Sequence, residues 1–81
     1  MTNDEIKSRA RAALAQVLKV PAEKIADDAS QMNLSEWDSV RHMNVVLALE
    51  NDFGIEFGDG ELINLTSLAL MVASIEKHIA A

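Results

Sequence analysis

Eighty-one residues make one small domain, 49% apolar and 25% charged, which is the balance of a folded globule rather than of a disordered tail. Thirteen Asp and Glu against seven Lys and Arg leave a net charge of −6, which argues against a nucleic-acid partner, whose phosphates require clustered bases. With no cysteine, the chain has no disulfide framework, no thiolate metal site and no thiol chemistry of its own.

The first ten residues, MTNDEIKSRA, contain no apolar signal core, and no run approaches the roughly 18 apolar residues of a membrane span. The cytosol is therefore the expected location. So short a chain can hardly wall off a deep active site, which points away from a free-standing enzyme. The charge is unevenly spread: residues 23–61 carry ten acids and two bases, net −8, and the remainder is net +2. This is either a solvated surface or an acidic face for basic partners.

Helical signals come in chain order. Thr2-Asn3-Asp4-Glu5 reads as a capping box. Ile6, Ala10, Ala13, Leu14, Val17 and Leu18 follow at helical spacing, and Pro21 should stop that helix near Lys19. Residues 20–37 form a long connection, with Val20, Ile25, Met32 and Leu34 expected to anchor it to the core. A loop of that length in a small domain suggests a functional segment. The second helix should start at Asp38 or Ser39 and run to Phe53, where Gly54 stops it. The segment GIEFGDGELINL, broken by three glycines, leaves room for one short helical turn around Asp59 to Ile63. Thr66 or Ser67 should cap the last helix, whose apolar residues are Leu68, Leu70, Met71, Val72, Ile75 and Ile79. With no strand-type alternation and no internal repeat, the fold class is all-α. It is a small bundle of three long helices and one short helix in a single domain, 1–81.

The second helix carries two apolar stripes. At 100° per residue from Ser39, Val45, Val46, Leu49 and Phe53 fall at roughly 240–340°, whereas Val40, Met43 and Leu47 fall at roughly 40–100°. Either both stripes are buried, or the second is an exposed docking strip flanked by Glu50 and Asn51. His42, at about 300°, faces the core side; its ring either hydrogen-bonds a loop carbonyl or lines an entrance to the core. Trp37 reads as a packing anchor for the long loop. At the helix start, Asp38 and Ser39 are both common caps, and Ser35-Glu36-Trp37-Asp38 also fits a loose S-x-x-D pattern. The same position gathers free amides and the positive end of the helix dipole, which would favour a phosphate at Ser39.

Leu34-Ser35-Glu36-Trp37-Asp38-Ser39-Val40 resembles the attachment motif of the acyl carrier proteins and related carrier domains. Leu47-Ala48-Leu49-Glu50-Asn51-Asp52-Phe53-Gly54-Ile55-Glu56-Phe57 and Leu65-Thr66-Ser67-Leu68 are similar to that family's second-helix end and last-helix start, so the resemblance spans nearly the whole chain. It implies a four-helix carrier domain, mostly monomeric in the family, with no catalytic activity of its own. Asp38 would open the second helix, and Ser39 would take 4′-phosphopantetheine from coenzyme A through a phosphodiester. The imported arm would supply the thiol that the chain lacks. Implied partners are a phosphopantetheinyl transferase and the acyl-loading and acyl-transfer enzymes of fatty acid, polyketide or other secondary-metabolite synthesis. Their basic and apolar patches would meet Val40, Met43, Leu47, Glu50 and Phe57.

Arg41, Asn44 and Asn51 stand where the fatty-acid-synthesis type is often acidic, and His42 and Val40 are also atypical. The W-D-S variant is similar to free-standing carriers of accessory pathways. The alternative class is an unmodified acidic adaptor that binds a protein through the same strip. Other chemistry fails on spacing. Asp38, Ser39 and His42 are too crowded for a hydrolase triad, and Asp52 to Glu61 places Gly54 where a calcium loop needs a ligand. His42 and His78 lack a paired zinc pattern.

Overall fold

The computed structural model describes residues 2–80; Met1 and Ala81, the ends of the domain expected over 1–81, lie outside the described residues. The capping box forms as the sequence predicts: the Thr2 hydroxyl accepts from Glu5 N (3.2 Å) and Glu5 Oε1 accepts from Thr2 N (3.3 Å). Helix α1 then spans Asn3–Leu18 and buries Ile6, Ala10, Ala13, Leu14 and Leu18 along one stripe, with Val17 half-buried at its edge. Lys19 turns into the left-handed region at φ 58°, where its N–H reaches Ala15 O, and Pro21 follows to bar any continuation. The left-handed turn costs a lysine roughly 1 kcal/mol.

The remaining helices are α2 (Ser39–Phe53), α3 (Asp59–Leu62) and α4 (Leu68–Ala80), and a 3-10 turn at Ala22–Lys24 lies within the first loop. Gly54 ends α2 at φ 66°, a conformation that glycine adopts without strain. Ser67, rather than Thr66, caps α4, since its hydroxyl accepts from Leu70 N (3.1 Å). Helix α1 packs against both α2 and α4. The core between them holds Val45, Val46 and Leu49 of α2 with Leu68, Met71, Val72 and Ile75 of α4. Leu70 and Ile79 lie off that stripe and are exposed. The fold is thus all-α, with three long helices, one short one and a long loop between the first two.

The first loop is pinned rather than slack. Ile25, Ala29, Leu34 and Trp37 are buried, and Val20 packs against the core edge. Arg11 donates to Ile25 O (2.9 Å) and pairs with Asp27. Ala29 O accepts from Leu68 N (2.9 Å), and Thr66 O from Gln31 N (3.0 Å), which fastens the loop to the start of α4. One expected anchor is wrong: Met32 is 97% exposed. Its amide bonds the Ser30 hydroxyl (3.2 Å), and Asn33 Oδ1 accepts from Ser30 N (2.9 Å). This tight turn throws Met32 outward, and Ala29 takes the buried position.

Candidate functional site

The start of α2 is organised by Asp38. Its backbone is extended (φ −97°, ψ 179°), and its Oδ1 accepts from Arg41 N (2.8 Å), the helix-capping bond. Arg41 returns its guanidinium to Asp38 Oδ2 (3.0 Å) and to Glu36 O (3.3 Å). Ser35 takes no part in the cap; its hydroxyl donates to Glu36 Oε1 (3.4 Å). The Lys24 ammonium (2.7 Å) and a backbone hydrogen bond hold the Glu36 carboxyl below its ordinary range. Because Asp38 caps the helix, Ser39 does not. Ser39 is exposed at the first helical position, and among the described residues neither its hydroxyl nor the amides of Ser39 and Val40 have a partner.

Beneath Ser39, one turn on, lies a buried polar chain. Trp37 Nε1 donates to His42 Nδ1 (3.1 Å), and His42 Nε2 lies 3.0 Å from Leu62 O. An indole can only donate and a carbonyl can only accept, so these partners assign the proton to Nε2. The two rings stack with centroids 6.0 Å apart. His42 does bond a carbonyl, that of Leu62 at the end of α3 rather than of a loop, and Trp37 is buried as an anchor of the first loop. A triad with Ser39 does not: both ring nitrogens are engaged away from the exposed hydroxyl.

Of the two stripes on α2, the second is open to solvent: Val40 is 77%, Met43 48% and Leu47 53% exposed. Arg41, Asn44 and Asn51 are exposed as well. Glu50 is half-buried, and its Oε2 accepts from Phe57 N (2.8 Å). That bond turns Phe57 inward, to 5% exposure, with its ring edge-on to His78 (centroids 5.3 Å apart). Phe57 is therefore core rather than docking surface, correcting the expectation from sequence.

A second polar cluster, which has no local signature in the sequence, joins α3 to α4. Glu61 accepts from the Ser74 hydroxyl (2.6 Å), from His78 Nε2 (2.9 Å) and from Gly58 N (3.3 Å). The Ser74 hydroxyl above all, then the His78 ring, pull the Glu61 carboxyl down to about 2. Serine and histidine both donate to the carboxylate and not to each other, so the arrangement clasps two helices and activates no nucleophile. Among the described residues no three His, Asp or Glu gather to hold a metal, and no helix is long and apolar enough to cross a membrane.

Comparison with known proteins places the chain in a family. The family model described as the phosphopantetheine attachment site matches residues 8–75. The chain is 31% identical over 81 residues to an acyl carrier protein of Thermosynechococcus vestitus, covering all of both chains. It is 34% identical over 77 residues to an acyl carrier protein of Akkermansia muciniphila, covering 95% of this chain and 96% of the relative. To polyketide-8 synthase acyl carrier protein 2 of Streptomyces avermitilis it is 31% identical over 62 residues, covering 76% of this chain and 71% of the relative.

Proposed function

The chain belongs to the phosphopantetheine-attachment family of acyl carrier proteins, and we propose that Ser39 is the serine that takes the arm. It is a carrier and not an enzyme. When attached, the arm supplies the thiol on which an acyl group is held as a thioester. The observation that supports Ser39 is its exposed, unpartnered hydroxyl at the first position of α2, beside two free amides. These residues fit a phosphodiester. The amides and the helix dipole favour its negative charge, and the Arg41 pair offsets that of Asp38 at 3.0 Å. Asp38 serves by capping the helix, which leaves the serine free.

We read the whole chain as one carrier domain, monomeric, in a compartment that holds coenzyme A, which we take to be the cytosol. The transferase and the acyl-loading and acyl-transfer enzymes would dock on the strip of Val40, Met43 and Leu47, with Glu50 at its margin. Fatty acid, polyketide or other secondary-metabolite synthesis would use such a carrier. Arg41, Asn44 and Asn51 on the exposed side of α2 favour partners other than the common fatty-acid enzymes, because they withhold negative charge where such partners are basic.

Intact-protein mass spectrometry after incubation with coenzyme A and a broad-specificity phosphopantetheinyl transferase tests this reading. One phosphopantetheinyl mass gain is expected on the native chain and none on Ser39→Ala. No gain on the native chain with several transferases would turn the reading toward an unmodified adaptor.

A further inference from the structure

The core beside Ser39 is shut, and what shuts it is polar. His42 follows Ser39 by one helical turn and stands between Trp37 of the first loop and Leu62 at the end of α3. All three contributing elements are thereby tied to one imidazole. Both ring nitrogens are used, and among the described residues no buried side-chain nitrogen or oxygen lacks a partner. Four grooves among the described residues lie elsewhere: between α3 and α4 at Glu61 and His78, between α1 and α2 at Arg9 and Asn51, between α1 and α4 at Asn3 and Val72, and between α1 and the first loop at Arg11 and Ala22. Neither Trp37 nor His42 lines any of them.

We propose that the Trp37–His42–Leu62 chain bars the apolar tail of a cargo from the core, so that this carrier is suited to short or polar acyl groups that stay outside on the arm. The proposal rests on Ser39 being the attachment site. A tail seeking the core from Ser39 between α2 and α3 must part His42 from the Leu62 carbonyl. One entering between α2 and the first loop must part His42 from the Trp37 indole. Either route leaves a buried donor or acceptor facing hydrocarbon, which opposes the gain from burying the tail. A short or polar group has little to gain from the core, so it loses nothing by remaining in water. His42 thus selects cargo without touching the reacting atoms.

The test loads the ¹⁵N-labelled protein, by way of the transferase, with acetyl- and with octanoyl-phosphopantetheine. Mass spectrometry comes first: absence of loading refutes the attachment reading, and so the basis of the proposal. With loading established, the two forms are compared by their amide spectra. The expected result is that the core amides of Val46, Leu49 and Leu65 and the Trp37 indole N–H resonate alike in both. Octanoyl-specific displacement of those signals in the native protein would overturn the proposal. In His42→Leu the bar is gone and octanoyl-specific displacement should emerge, whereas a folded His42→Leu without it would also count against the proposal. Should that variant not fold, His42→Phe, which keeps a ring at the position but removes both hydrogen bonds, carries the same expectation. A merely structural role for His42 would change both loaded forms equally.

Discussion

Replacing Glu61 with glutamine removes the charge that clasps α3 to α4, and both the size and the pH range of the effect follow from its surroundings. The Ser74 hydroxyl (2.6 Å) and His78 Nε2 (2.9 Å) bring the carboxyl from 4.5 to about 2 in the folded protein. A folded value below the unfolded one means that the stabilisation is fully present above 4.5 and is lost as pH falls toward about 2. At about 1.4 kcal/mol per tenfold change in proton affinity, the lowering corresponds to at most ~3.4 kcal/mol. The side chain is 27% exposed, and solvent screening reduces this to ~1–2 kcal/mol. Urea unfolding of the native protein and Glu61→Gln at pH 7, 4 and 2.5 measures the gap directly. Since the screened figure corresponds to a smaller effective lowering, the gap should be ~1–2 kcal/mol at pH 7, fall to roughly half of that at pH 4, and be nearly gone at pH 2.5. A gap that is absent at pH 7, or unchanged at pH 2.5, would show that Glu61 does not clasp the two helices through its charge.

Two further perturbations probe the start and the open face of α2. Asp38→Ala removes the capping bond to Arg41 N and should cost ~1 kcal/mol, lowering Tm by roughly 4–8 °C in thermal circular dichroism; Asp38→Asn, which can still cap, should keep most of it. Leu47→Asp, at a 53% exposed position, should lower Tm by only about 2–4 °C, the helix-propensity cost of an aspartate, but raise the KM of a phosphopantetheinyl transferase for this carrier by roughly 5–10-fold, from about 1 kcal/mol of lost apolar contact. An unchanged KM would remove Leu47 from the docking strip.

Elements whose signals are local were legible in the sequence. The Thr2–Glu5 box and the Gly54 stop each lie within four residues of what they fix, and the helical spacing divides the apolar residues of α2 into two stripes while leaving open whether the second is covered. His42 was placed by the same arithmetic, although its bond to the Trp37 indole carries no local signature. The irregular segments were harder to read. Met32 is apolar, but a turn directs it outward, and the small Ala29 gives no sign of its burial. Phe57 looked like a surface aromatic between acids and glycines until the Glu50 carboxylate, seven residues back, was seen to fix its amide. Glu61, Ser74 and His78 are separated by 13 and 17 residues, and only the docking of α3 on α4 unites them. The exposed hydroxyl of Ser39 has a similar origin: cap and modification competed as readings of Asp38-Ser39 until the structure assigned the cap to Asp38.

Whether Ser39 takes the arm is decided by locating the added group. The native chain should be modified with coenzyme A and a transferase, digested, and fragmented in the mass spectrometer. The phosphopantetheinyl group should be found on Ser39 and on no other serine. Finding it on Ser35 or any other residue, or finding none, would overturn the assignment of Ser39.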